Sequence, residues 1–357
     1  MHKQKFSRFA SINSIITLIG VMSVILFSSK PVKAQDPQFS QFYSAPLYLN
    51  PAFVGSTNWT RVGANFRTQW PAIDANFVTL SAYADHYLDD QNSGIGIIIT
   101  GDREGLAGLR SNSIGLQYSY QLPISKIFTV RAGVHVAYVF RDVNFGKLTF
   151  GDQYDQNGFI SVPTAETFNT GARKSFLDLG FGGLLYSENI WLGVSAFHMN
   201  RPNQSLIGES SKLPVKYSVH AGYKFFFKPG VMGQGIYATP QERSLAPTIQ
   251  YRKQGIFSQL DIGLYFTYEP VLFGLWYRGV PYKQFDGFTN NEALVFMVGF
   301  EKKAPKDALY IGYSYDFTIS QLGASAGGAH EIAISYSFFT GDPRKPPKNV
   351  RQIPCRR

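Results

Sequence analysis

The chain has 357 residues, of which 15% are aromatic and only 16% charged, with 34 glycines. That balance points away from a soluble domain and toward tightly turning strands with aromatic ends, and the single cysteine, Cys355, excludes an intrachain disulfide and a thiolate-based metal site. The formal charge of +10 falls to +5 once Lys3, Lys5, Arg8, Lys30 and Lys33 are removed with the first 34 residues, an excess too modest to argue for nucleic acid.

Residues 1–34 read as a secretory signal peptide. Lys3, Lys5 and Arg8 form a basic start, Ile15 to Phe27 is apolar apart from Thr17, Gly20 and Ser23, and Val32-Lys33-Ala34 offers a small-residue cleavage site. An apolar core of about 13 residues is short for a spanning helix. No cysteine follows the site, which argues against a lipoprotein.

The next stretch, residues 35–58, is expected to be a plug or hatch segment; an arm lying over the domain surface is the alternative. Pro37, Pro46 and Pro51 argue against a helix and would interrupt a strand. Yet Phe39, Phe42, Tyr43, Leu47, Tyr48 and Phe53 must be covered. The plug reading packs these six on the inside of a closed barrel, with Asn50 fixing the turn into Pro51.

Asp36-Pro37-Gln38-Phe39-Ser40-Gln41 followed by Leu47-Tyr48-Leu49-Asn50-Pro51-Ala52-Phe53-Val54-Gly55-Ser56 resembles the opening of the PorP/SprF family, outer-membrane proteins of the Bacteroidetes type IX secretion system. The resemblance covers essentially the whole mature chain. It implies an outer-membrane barrel that serves protein secretion and gliding motility, without enzymatic activity or cofactor.

After Ser56 the sequence alternates with period two. Ile114, Leu116, Tyr118, Tyr120 and Leu122 share one parity against Ser113, Gly115, Gln117, Ser119 and Gln121; Leu260, Ile262, Leu264, Phe266 and Tyr268 stand likewise against Asp261, Gly263, Tyr265, Thr267 and Glu269. Segments of 10 or more residues whose apolar parity ends in Tyr or Phe suit tilted crossings of a membrane. The fold class is therefore all-β, a transmembrane antiparallel β-barrel over 59–340. The segments near 60–70, 76–87, 93–100, 110–122, 127–142, 174–187, 189–200, 213–227, 245–254, 257–268, 271–280, 290–303, 306–317 and 329–340 number fourteen, with twelve and sixteen as the neighbouring even counts. Arg131, His135, Asp178, Lys224, Asp261 and Glu331 fall on the polar parity and are the candidate lumenal groups. His135 and Asp178 either meet across adjacent inward faces or, in the favoured reading, belong to an ordinary lumenal polar network.

Connection lengths predict both termini on the periplasmic side, where LDDQNSG, LPISKI, YSENI, YEPV and KKAPKD are short. Residues 145–173, 200–213 and 281–290 would lie outside the cell. Residues 228–244 break the rule by being long on the short side. Residues 341–357, with six basic residues and four prolines, read as an extended basic tail in the periplasm.

Catalytic and metal sites are not expected. The six histidines, His2, His86, His135, His198, His220 and His330, have no ligand spacing, and neither GxSxG nor a phosphate-cradling glycine loop occurs. Two functions remain. The family resemblance implies a component that assists export or surface attachment of a large adhesin-like cargo with a C-terminal sorting domain, working with secretion machinery or peptidoglycan-binding periplasmic lipoproteins. The alternative is a channel for hydrophobic small molecules, since Asn50-Pro51-Ala52 also resembles the hatch of long-chain fatty-acid transporters.

Overall fold

The computed structural model describes residues 35–57, 59–106, 108–144, 146, 148–156, 158–160, 162–165, 173–206, 210–227, 230–232, 239–285, 288–304, 306–320, 323–340 and 353–355. The signal-peptide expectation and most of the tail lie outside them. Fourteen antiparallel strands follow one another: β1 Thr60–Gln69, β2 Phe77–Leu88, β3 Ser93–Glu104, β4 Leu109–Pro123, β5 Thr129–Asp142, β6 Arg173–Tyr186, β7 Ile190–Phe197, β8 Lys216–Tyr223, β9 Arg243–Gln254, β10 Phe257–Tyr268, β11 Val271–Phe285, β12 Phe288–Lys303, β13 Asp307–Thr318 and β14 Ala329–Phe338. Each pairs with its neighbours in sequence, and β1 pairs with β14 from Thr60↔Phe338 to Gln69↔Ala329, so the sheet closes on itself without an edge. Phe225–Phe226 carries β8 past Lys224 and still pairs with β9.

Alternation decides which face each residue takes. On β4, Ile114, Leu116, Tyr118, Tyr120 and Leu122 point outward, while Gln117, Ser119 and Gln121 are buried inside; on β10, Ile262, Leu264, Phe266 and Tyr268 point outward against buried Asp261 and Tyr265. The outer surface is apolar and the interior polar. This inverts the soluble pattern and suits a barrel in lipid.

Turns after β2, β4, β6, β10 and β12 are short, and β1 begins and β14 ends at that same rim, here the turn rim. The opposite loop rim carries the long β5–β6 and β7–β8 connections. The first contains a small ribbon, Tyr154–Asp155 with Gly158–Phe159. There the Asp152 carboxylate accepts the Ala165 amide at 2.6 Å and the Thr164 hydroxyl at 2.9 Å, and that amide holds its pKa below the usual range. On the turn rim, the long β8–β9 connection forms a second ribbon, Gly230–Met232 with Thr239–Gln241.

Two expected boundaries move. The predicted outer loop 281–290 is mostly strand: β11 runs on to Phe285 and pairs with β12 to its tip. The register shifts between Arg278 and Gly279 and again between Val280 and Gln284, which gives Pro281 an irregular position where no ladder hydrogen bond is lost. β3 likewise extends beyond Thr100 to Glu104, paired with Leu109.

Candidate functional site in the lumen

The N-terminal segment lies against the inward faces of strands from both sides of the barrel. Proline does not exclude helix here, because it occupies the first turn, where its missing N–H is not needed. Pro46–Leu49 is one α-helical turn and Pro51–Phe53 one 3-10 turn, with Phe42–Ser44 a third short turn before them. Asn50 between them is extended; its Oδ1 accepts the Ala52 amide at 2.9 Å, and its Nδ2 donates to the carbonyls of Gly183 at 3.1 Å and Val194 at 2.9 Å. This fixes the turn to β6 and β7 at once. Gly182 and Gly133, side by side on β6 and β5, face Asn50 and Pro51; a Cβ on either would overlap the segment.

Toward the turn rim, the segment's carbonyls are taken by buried donors. Arg131, 1% exposed, donates from Nε to Ala52 O at 3.1 Å, and its Nη2 donates to Val54 O and to Ser119 Oγ. Ser119 Oγ itself donates to Val54 O at 2.6 Å. Gln117 donates to Leu47 O and Ser195 to Leu49 O. The Asp85 carboxylate accepts the Gly55 amide at 2.7 Å and pairs with Arg61 at 2.9 Å.

Toward the loop rim, the segment meets an ion network. Glu331 accepts the amides of Ser40 at 2.6 Å and Gln41 at 3.0 Å. Ser40 Oγ donates to Asp316 at 2.6 Å and accepts from Arg67 at 2.7 Å and Arg278 at 2.9 Å. Arg278 also pairs with Asp261 and Asp316, each at 2.7 Å, and Arg252 with Asp261 at 2.9 Å. Gln38 donates to Glu292 at 3.0 Å. The Tyr48 hydroxyl donates to Pro37 O at 2.7 Å, and the Lys216 ammonium, at the loop-rim start of β8, lies 4.7 Å over the Tyr48 ring. Pro37 is therefore in the loop-rim half, and the segment threads the lumen lengthwise to Gly55. The expectation was both chain termini on the periplasmic side; the start of the segment lies instead in the loop-rim half, because the inward carboxylates that capture Ser40 and Gln41 sit near that end of β13 and β14.

Between these zones is an aromatic cluster. Trp191 Nε1 donates to Tyr43 Oη at 2.6 Å, Tyr43 Oη contacts His220 Nδ1 at 3.3 Å, and Phe53 stacks on His220 with centroids 5.5 Å apart. Ile353 and Cys355 belong to the same cluster, 6% and 3% exposed. The tail was expected to extend into the periplasm, as a solvated terminus or a docking strand; of its described residues Ile353 and Cys355 are buried and Pro354 is half-buried.

Phe39, Phe42, Tyr43, Leu47, Asn50, Pro51 and Phe53 are thus buried and Tyr48 half-buried. Arg131, His135, Asp178, Asp261 and Glu331 are buried on inward faces. His135 and Asp178 do not hydrogen-bond each other: His135 Nδ1 is 2.9 Å from Gln117 and Asp178 is 2.9 Å from His198, since register sets Asp178 beside Ala137 and leaves His198 the closer ring. Lys224 stands at the turn rim, where its ammonium pairs with Glu242 at 2.5 Å. Burial alone would raise the Glu242 pKa, but Lys224 and Lys303 outweigh it and bring it down to about 2. Nearby, a cavity of about 250 Å³ opens between Trp59, Glu301, Lys303, Tyr310, Ser335 and Ser337. Sequence reading missed Arg61, Arg67, Arg252, Arg278, Asp85, Glu292 and Asp316. Their signal was a charged residue on the inward parity of an otherwise apolar alternation. Among the described residues no cluster of His, Cys, Asp or Glu has metal-holding geometry.

Comparison with solved structures returns outer-membrane barrels. A Pseudomonas aeruginosa FadL homologue is 11% identical with a TM-score of 0.41, over 84% of this chain and 94% of that one. A TodX deletion mutant, a monoaromatic hydrocarbon channel, is 12% identical with a TM-score of 0.46, over 82% and 94%. The CymD monoaromatic hydrocarbon channel is 10% identical with a TM-score of 0.41, over 87% and 95%. These are likenesses of fold alone. No curated protein matches the chain. The model of the type IX secretion system membrane protein family PorP/SprF matches residues 32–336. The chain, an outer-membrane β-barrel, belongs to the PorP/SprF family of the type IX secretion system.

Proposed function

We propose that this barrel assists the export or surface attachment of a large secreted protein, holding it by its outward loops rather than conducting it, and that it does so without enzymatic activity. The observation that carries the reading is the lengthwise occupation of the lumen by the chain's own N-terminal segment, tied to the wall by hydrogen bonds from Ser40 to the carboxylates of a buried ion network at one end and by carbonyl contacts with Arg131 at the other. A lumen so filled has no room for a passing polypeptide. In this reading the segment is a plug, the turn rim faces the periplasm, and secretion machinery or a peptidoglycan-binding lipoprotein meets the β8–β9 ribbon there. The cargo's C-terminal sorting domain meets the loop rim.

The buried arginines and carboxylates along the segment speak against the alternative of a hydrophobic small-molecule channel. Deletion of the barrel in its native host tests the choice: a large surface protein lost from the cell surface and found in the medium or periplasm supports attachment. Unchanged surface proteins, with impaired uptake of an apolar nutrient, would favour the channel.

A further inference from the structure

The outer wall of the barrel carries a row of charge at the loop rim. The ladders pair Arg103 of β3 with Arg110 of β4, Arg110 with Asp142 of β5, and Asp142 with Arg173 of β6. The four residues therefore stand side by side at one height on neighbouring strands. They fall on the outward parity, with Ile99, Ile114, Tyr138 and Leu177 forming a parallel apolar row nearer the middle of the wall. Arg103, Arg110 and Arg173 are exposed and Asp142 is half-buried. Arg103 also donates from Nη2 to Asn76 Oδ1 at 3.2 Å. Glu104, Arg141 and Lys174, next in sequence to the row, take the inward parity.

Guanidiniums directly opposite each other on paired strands repel, as Arg103 and Arg110 do. One carboxylate among three of them leaves the row a net positive patch. Its height fits an anionic headgroup. From Leu122, at the turn-rim end of the outward stripe of β4, to Arg110 the strand rises about 30 Å, at about 3.4 Å per residue and a tilt of 35–45°. The hydrocarbon core is about as thick, so Arg110 emerges at its far boundary. Long connections of bacterial barrels face outward. The boundary at the loop rim is then that of the outer leaflet, where phosphorylated glycolipid carries its phosphate on sugar above several acyl chains.

The wall matches both parts of such a lipid. Arginine forks fit phosphate oxygens in pairs. Below them lie Phe140, its ring 4.7 Å from that of Tyr138, and the apolar row of Ile99, Ile114 and Leu177. Three strand intervals of about 4.8 Å put about 14 Å between Arg103 and Arg173, the width of a sugar-phosphate headgroup rather than of a phosphate ion.

We propose that Arg103, Arg110 and Arg173 form a site for one phosphorylated glycolipid of the outer leaflet, whose phosphate sits on the guanidiniums and whose acyl chains run down the wall of β3 to β6. Asp142 and Arg173 are the last and first strand residues on either side of the long β5–β6 connection. A lipid bound there clamps the base of that connection, whatever the loops hold.

The experiment is a native mass spectrometry titration of the purified full-length barrel, in nonionic detergent, with bisphosphorylated lipid A, with folding followed by heat modifiability. The native barrel should bind one lipid A, and enzymatically dephosphorylated lipid A should bind about ten-fold or more weakly. Arg110→Gln combined with Arg173→Gln should weaken lipid A binding by a similar factor. Lys253→Gln removes an exposed outward charge at the same rim, on β9, where the paired neighbours are Tyr217 and Ser258; it should leave binding within about two-fold. Equal binding of the two lipid A forms to the native barrel would overturn the proposal without any variant, since acyl packing alone would then hold the lipid. An equal loss from Lys253→Gln would overturn it in favour of general rim charge. Phosphatidylglycerol bound as tightly, and with the same dependence on Arg110 and Arg173, would overturn it in favour of any anionic lipid. Displacement of lipid A by inorganic phosphate would show a free-anion site instead.

Discussion

Glu331 on β14 accepts the backbone amide of Ser40 at 2.6 Å, joining residues 291 positions apart in sequence. A helix would use that amide within itself, and a strand would give it to a neighbouring strand. Here the segment is irregular between its prolines, and a wall carboxylate takes the amide instead. The same carboxylate lies 3.4 Å from Arg67, which reaches Asp316, which reaches Arg278 and then Asp261. The segment and five strands thus share one buried ion network.

Arg278 is the node at which that network is most vulnerable. Arg278→Met leaves Asp261 and Asp316 each short of a partner, and breaking a buried pair costs about 3–5 kcal/mol. Urea unfolding in detergent should show a loss of that order. Adding Asp261→Asn should restore part of it, so that the double variant loses less than the sum of the single ones. Strict additivity would mean that the two charges do not act on each other.

Much of this architecture was legible before any coordinates. Leu264 and Asp261 fall on opposite parities of one segment, and a barrel needs nothing more to assign them to lipid and lumen. Strand limits were less legible where polarity misleads: Gly101-Asp102-Arg103-Glu104 reads as a loop, yet it pairs with β4 beyond the apolar band. The ion network was illegible in another way. Which inward charges meet depends on closure, and Arg67 and Arg278 are brought together by a ring of strands and not by local spacing. The buried tail end had no periodic signal, because three residues among basic neighbours carry no pattern.

Lipid contact should make the outer parity intolerant of charge. Val134 is 41% and Leu264 40% exposed on outward faces, so an arginine at either should cost roughly 2–4 kcal/mol if it lies near the midplane and should lower the yield of heat-modifiable barrel. Tyr154→Arg, in the outer ribbon, should assemble normally. Equal assembly of all three variants would mean that water covers both faces.

At the turn rim, stability should depend on pH through Glu242. Its pKa is about 2, below the ordinary 4.5, so its ionised form favours the folded state. That contribution is complete above about pH 4.5 and is lost as the pH falls toward 2. Glu242→Gln should therefore be less stable than the native chain at pH 7, by about 1–3 kcal/mol. The difference should shrink as the pH falls from 4.5 to 2, as read by thermal unfolding at each pH. A difference that stays constant across that window would assign the effect to packing and not to the ion pairs with Lys224 and Lys303.

The plug reading is tested most directly by two adjacent glycines. A Cβ at Gly182 would overlap the Asn50 side chain and Pro51, whereas at Gly183 it would make ordinary contact with Val194 at 3.6 Å. Gly182→Val should displace the Asn50 turn, and with it the hydrogen bonds from Asn50 to Gly183 O and Val194 O. Strand pairing between β5 and β6 involves the backbone, so the barrel itself should persist. Conductance in planar bilayers should then rise for Gly182→Val and stay at the native level for Gly183→Ala. If both variants conduct like the native protein while Gly182→Val has demonstrably released its N-terminal segment to added protease, the loops close the pore instead. The segment would then serve as a brace between opposite walls, and the ion network around Ser40 would be there to stiffen the barrel.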